Sequence, residues 1–139
     1  MPRILLIDDD DTVRAVIQAM LRSGGHEVAA AADGLEGLDQ VRQQAFDLVL
    51  CDIFMPGLDG IATLTELRRF DDKLPVVMMT AGSPRAARIG RKENTDYLAL
   101  ARTLGATETI EKPFRAGQLT GLVAQVLVEA ASPPAIAAQ

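Results

Sequence analysis

The sequence predicts an α/β fold: a doubly wound, five-stranded parallel sheet in strand order 2-1-3-4-5, with five helices on its two faces. Three observations predict it. Short apolar runs recur, led by Ile4–Ile7 and Leu48–Leu50, as strands buried on both faces read. Between such runs lie apolar residues at helical spacing, for example Val13, Val16, Ile17, Met20 and Leu21. Strand and helix then alternate strictly along the chain, which right-handed crossovers turn into a parallel sheet.

The elements follow in order. The first strand, Ile4–Ile7, stops abruptly at Asp8-Asp9-Asp10-Asp11. Asp11 or Thr12 is expected to cap the first helix, and Ser23-Gly24-Gly25 ends it, with glycine where a left-handed residue is wanted. His26–Ala31 reads as a weak second strand, with His26 exposed. Leu35, Leu38 and Val41, after Asp33-Gly34, mark a second helix. Asp47–Ile53 is the third strand. Met55-Pro56-Gly57 then breaks any regular element, and a third helix starts near Asp59, striped by Ile61, Leu64 and Leu67 and closed by Arg68-Arg69. Val76–Thr80 is the fourth strand. Ser83–Asn94 holds Arg85, Arg88, Arg91 and Lys92 with little apolar pattern, and reads as a long loop or a frayed first turn. Tyr97, Leu98, Leu100, Ala101 and Leu104 stripe a fourth helix, Thr107–Glu111 is the fifth strand, and Leu119, Leu122, Val123, Val126 and Leu127 stripe a fifth helix. Residues 132–139, SPPAIAAQ, read as a disordered tail or linker stub after a domain over residues 1–131.

Composition narrows the function classes. The chain has 139 residues and a net charge of −5, which argues against direct nucleic-acid binding. A single cysteine, Cys51, excludes an internal disulfide framework and a Cys-rich zinc site. Strand alternation points it away from Asp52, as a small buried hydrophobe. There is no apolar run of about 18 residues to cross a membrane. Acid arrives too early at the N-terminus for a signal peptide. A cytoplasmic setting is the expectation.

The topology brings scattered polar residues to one edge of the sheet. Asp8 and Asp9 end the first strand, Asp52 the third, Thr80 the fourth and Lys112 the fifth. Carboxylates about 4 Å apart repel by roughly 4 kcal/mol at an effective dielectric near 20. Protons or a cation must relieve that, and an oxygen-only donor set suits Mg²⁺ better than zinc. A divalent ion, an ammonium and a hydroxyl around one carboxylate form the clamp that a phosphoryl group needs. Carboxylate nucleophiles do form aspartyl phosphates.

The residues that carry these groups resemble a known family. ILLIDDDDTVR (Ile4 to Arg14), DLVLCDIFMPGLDG (Asp47 to Gly60), PVVMMTA (Pro75 to Ala81) and EKPF (Glu111 to Phe114) look like the motifs of a response-regulator receiver domain, with a CheY-like, flavodoxin-like fold. The resemblance implies a phosphoacceptor of two-component signalling. It implies Asp52 as the phosphorylated residue, Asp8 and Asp9 as the acidic pair, Thr80 as the switch hydroxyl and Lys112 as the phosphate-binding lysine. Mg²⁺ would be held by Asp9 and Asp52 with the backbone carbonyl of Phe54, Asp8 completing the acidic site. A cis peptide is implied at Lys112-Pro113. The implied partners are a sensor histidine kinase or histidine phosphotransfer protein, and a downstream protein that docks on the fourth helix, fifth strand and fifth helix. The family catalyses only its own phosphorylation and dephosphorylation. Two departures stand out: Thr109 occupies a position that is aromatic in the family, with Tyr97 the candidate to take its part, and the stretch from Thr80 to Lys112 is longer than the family pattern.

Two other functions compete. An aspartate-nucleophile phosphatase of the haloacid dehalogenase kind needs a second acid two residues after Asp52, where this chain has Phe54. A phosphorylation-independent pseudo-receiver would be expected to lose one of the site residues, and none is lost. Whether the chain acts as a single domain or belongs to a longer regulator stays open at this point.

Overall fold

The computed structural model describes residues 1–80 and 92–131. Ten elements alternate within them: β1 (Arg3–Ile7), α1 (Asp11–Ser23), β2 (Glu27–Ala31), α2 (Gly34–Gln43), β3 (Leu48–Asp52), α3 (Gly60–Phe70), β4 (Val76–Thr80), α4 (Lys92–Thr103), β5 (Glu108–Glu111) and α5 (Ala116–Ala131). Among the described residues the strands form one sheet in the order β2-β1-β3-β4-β5, every pairing parallel. That is the predicted doubly wound topology.

The central strands are apolar throughout because helices cover both of their faces. On one side, Leu5, Ile7, Val49, Cys51, Val76 and Met78 pack with Leu38 and Val41 of α2, Leu64 and Leu67 of α3 and Ala101 of α4. On the other, Ile4, Leu6, Leu48, Leu50, Val77 and Met79 pack with Ile17 and Leu21 of α1 and Leu119, Val123 and Val126 of α5. Each Val, Leu, Ile or Met side chain among them, fully withdrawn from water, contributes about 1.5–3 kcal/mol before the entropy of ordering is charged against it.

Side-chain caps set the helix starts. Asp10 accepts from the Val13 N–H of α1, Asp33 from the Glu36 N–H of α2, and Asp59 from the Ala62 N–H of α3. The α1 cap corrects the expectation of Asp11 or Thr12. Asp10 precedes the first helical residue, and Asp11 is left to pair with Arg14. His26 is also corrected: it lies outside β2, is half-buried, and its Nδ1 is enclosed without a hydrogen-bond partner. Four residues of the predicted helix stripes face outward, Val16 at 49%, Leu35 at 65%, Leu100 at 42% and Leu104 at 36% exposure, so they add little to the core.

The predicted loop over Ser83–Asn94 falls largely on residues 81–91, outside the described residues. Its last three positions belong to α4, which begins at Lys92. The predicted tail, residues 132–139, also lies outside them.

Candidate functional site

The register of the sheet builds the site. Ile7 of β1 stands opposite Cys51 of β3. One residue further on, Asp8 and Asp52 leave the sheet side by side at its carboxyl edge. Asp52 in turn stands opposite Met79 of β4, so Thr80 follows at the same edge, and Thr80 stands opposite Glu111 of β5. Lys112 comes next, tied down by its N–H bond to the Thr80 carbonyl at 2.7 Å. The Lys112-Pro113 peptide is cis. Crevices of this kind, outside the carboxyl ends of parallel strands, are where doubly wound sheets take ligands.

Asp8, Asp52 and Thr80 are buried polar residues in an otherwise apolar interior, while Asp9 is exposed. Carboxylate oxygens of Asp8, Asp9 and Asp52 lie within 4.8 Å of one another. Lys112 Nζ reaches into the group and donates to Asp8 Oδ2 at 2.7 Å and to Asp52 Oδ2 at 3.4 Å. The Asp10 N–H holds the other Asp8 oxygen at 2.9 Å. Arg14, from α1, donates through Nη1 to the Asp8 carbonyl at 2.8 Å. Asp8 is thus fixed from three directions, and Lys112 leans towards it rather than towards Asp52.

Asp52 is the less satisfied acid. Burial pushes its carboxyl up from 3.8 to about 6, and the Asp8 charge adds to this; Lys112 and the Phe54 N–H pull the other way without prevailing. Burial alone would lower Lys112, but its hydrogen bond to Asp8 and the charges of Asp52 and Asp8 outweigh it and hold the ammonium above its usual range. Cys51 lies on the opposite side of β3, inside the core, and burial beside Asp52 and Asp8 pushes its thiol far up, so it is an inert hydrophobe as predicted.

Lys112 offsets one of the three carboxylate charges. The surplus of two negative charges, on oxygen donors alone and with one donor at the surface, has the chemistry of a site for a hard divalent cation. The donor set holds no His or Cys.

The structure brings Asp8, Asp9, Asp52 and Lys112 together, sets Thr80 on the adjoining strand end, and places Phe54 just beyond Asp52. Two contributors escape a reading by residue type. Arg14 acts through a main-chain carbonyl, which no side-chain pattern marks. Gly60, expected only as part of a helix entry, packs against the back of the site: its N–H bonds the Ile53 carbonyl at 2.9 Å, and a Cβ there would collide with the Asp52 carbonyl oxygen and Ile53 Cα. A glycine directly after the capping Asp59 was the available signal. Gly57, at φ +74°, supplies the left-handed turn between site and helix.

Known proteins are similar to this chain in sequence and fold. Residues 4–124 match the model of the response regulator receiver domain. The chain is 41% identical over 111 residues to the transcriptional regulatory protein ZraR of Klebsiella oxytoca, a match that covers 80% of this chain and 23% of that protein. It is 35% identical over 127 residues to the transcriptional regulatory protein AfsQ1 of Streptomyces coelicolor, covering 91% of this chain and 52% of that one. The chain therefore spans about half the length, or less, of these curated relatives. A crystal structure of a response regulator receiver domain protein from Clostridium thermocellum superposes with a TM-score of 0.81 at 27% identity, covering 93% of this chain and 96% of the other. Fold, strand order and a match over most of its length agree: the chain belongs to the response regulator receiver domain family.

Proposed function

We propose that this receiver is phosphorylated on Asp52 and that Asp8, Asp9, Thr80 and Lys112 serve that transfer. The observation that carries the proposal is the poorly compensated Asp52, buried beside Asp8 and held by Lys112 at only 3.4 Å. A carboxylate oxygen of Asp52 attacks phosphorus of a partner's phosphohistidine. The phosphorus–nitrogen bond breaks, and its electron pair stays on the imidazole nitrogen, which takes up a proton. The Lys112 ammonium, already between Asp8 and Asp52, neutralises phosphoryl oxygens as charge builds on them. The Thr80 hydroxyl donates to the same group once it is in place. Asp8, Asp9 and Asp52, with the Phe54 carbonyl, would hold Mg²⁺, which supplies charge neutralisation for the transfer.

The donor is a histidine kinase or a histidine phosphotransfer protein. Output runs through the face of α4, β5 and α5 to a downstream protein or an attached domain, because related chains of greater length are transcriptional regulators. Residues 1–131 act as the receiver unit, in the cytoplasm. Slow hydrolysis of the acyl phosphate resets it, which is the only catalysis proposed. A phosphorylation-independent reading finds no support in a site that retains every polar member.

Acetyl phosphate with Mg²⁺ should give a labile adduct of about 80 Da, one phosphoryl group, visible by intact-mass spectrometry. Asp52→Ala should abolish it. An undiminished adduct in that variant would falsify the assignment of Asp52.

A further inference from the structure

We infer that the ring pair of Phe54 and Tyr97 is the link by which the state of the acidic site reaches α4. The inference rests on the phosphoacceptor reading and deepens it. Phe54 lies just past Asp52, and its backbone N–H donates to the Asp52 carboxylate. Its ring meets that of Tyr97 on α4 with centroids 4.9 Å apart and planes at 79°. This edge-to-face geometry is directional, a positive ring edge against a negative face. One residue therefore feels Asp52 through its main chain and holds α4 through its side chain.

The surroundings allow movement. The pair borders a cavity of about 350 Å³ between the loop after β3 and α4, lined also by Met55, Pro56 and Ile61. Close-packed interiors resist displacement, whereas a ring pair beside open space has room to shift together. Beyond Tyr97, α4 has a second tie to the sheet. Ala101 is buried, and Arg102 Nη2 donates to Thr109 Oγ1 on β5 at 3.0 Å. A helix held to the site loop near Tyr97 and to β5 through Arg102 passes a displacement at Phe54 on to β5. Phosphorylation replaces one carboxylate oxygen's charge with a larger, more negative group. The Phe54 N–H then meets a changed acceptor, and the ring pair follows. Tyr97 is a positioning residue in this scheme and touches no reacting atom.

The chain tests the idea itself. Tyr97 is its one tyrosine and there is no tryptophan, so tyrosine emission of the full chain reports on this ring alone. The experiment follows that emission as Mg²⁺ and then beryllofluoride, a mimic of the acyl phosphate, are added. The acetyl-phosphate mass adduct is recorded on the same preparation. Expected is a saturable change in Tyr97 emission on adding beryllofluoride. Amide shifts over Leu98 to Thr103 should move in the wild type and in Tyr97→Phe, which keeps the ring, and be lost in Tyr97→Leu, with the adduct formed by all three. An adduct with unchanged Tyr97 emission, or α4 shifts in Tyr97→Leu equal to those of the wild type, overturns the relay and leaves the phosphoacceptor reading standing. Absence of the adduct in all three overturns that reading and the relay with it.

Discussion

Asp52 sits where desolvation and pairing compete, and its carboxyl at about 6 instead of 3.8 says that desolvation wins. The sign of the consequence follows from proton counting. Between those two values the folded chain holds a proton that the unfolded chain has released. Stability therefore falls as pH rises through that window, and the penalty is complete above it. A shift of this size corresponds to about 3 kcal/mol at most. Asp52→Asn removes the charge and keeps the shape, at the expense of the weaker of the two Lys112 contacts. In the absence of divalent ions it should gain about 1–3 kcal/mol near neutral pH and lose most of the wild type's pH dependence in the window. Urea unfolding of both proteins on either side of pH 6 checks this; an Asp52→Asn chain less stable at neutral pH would mean that pairing outweighs desolvation. Asp52 was legible in the sequence because an acid ending an apolar run needs a partner. The division of Lys112 between Asp8 and Asp52 was not, since it depends on side-chain reach across strands far apart in the chain.

Elements are joined by contacts that the apolar pattern does not encode. Strand and helix assignments were readable because burial on one helical stripe, or on both faces of a strand, leaves a period in the sequence. Arg68 shows the other case. Its position suggested only a charge closing α3. Instead its guanidinium donates to the carbonyls of Gly105 at 2.8 Å, Leu74 at 2.6 Å and Asp71 at 3.2 Å. It pins the end of α3 to the segments that lead into β4 and β5. Arg68→Ala should cost about 1–3 kcal/mol, and Arg68→Lys should recover little of it, since an ammonium lacks the planar fork. Chemical denaturation reads both. Gly60 joins β3 to α3 at closer range, and the obstacle to a side chain there is backbone, which cannot swing aside. Gly60→Ala should destabilise by about 1–3 kcal/mol or more, and it should disturb the Asp52 carbonyl and with it the adduct yield. Equal yield and stability in Gly60→Ala would show that the loop yields freely.

For the whole molecule, alternation of apolar strands and striped helices was enough for the strand order, because parallel strands buried on both faces leave few topologies. What the pattern missed lies at the margins of that core. Val16 and Leu35 keep helical spacing yet face water, and His26 is drawn partly inside by a turn rather than by a period. The acidic site is where this fold concentrates its cost: three carboxylates meet one lysine at the carboxyl edge of the sheet. Much of this repulsion exists only when the chain is folded, because unfolding carries Asp52 away from Asp8 and Asp9, which stay neighbours in the chain. A divalent cation that binds the cluster therefore stabilises the native state by mass action, by about 2.7 kcal/mol at a hundredfold excess over its dissociation constant. The melting temperature should rise on adding Mg²⁺, by about 3 °C for each kcal/mol in a chain of this size. Chelation should reverse the rise. Asp9→Asn should lose most of it, because Asp9 is exposed and its removal costs the apo fold little. Asp52→Asn should start from a higher apo melting temperature and gain little further. The two substitutions thus separate relief of repulsion from loss of a donor. A Mg²⁺ shift of full size in both variants would place the ion elsewhere on the molecule.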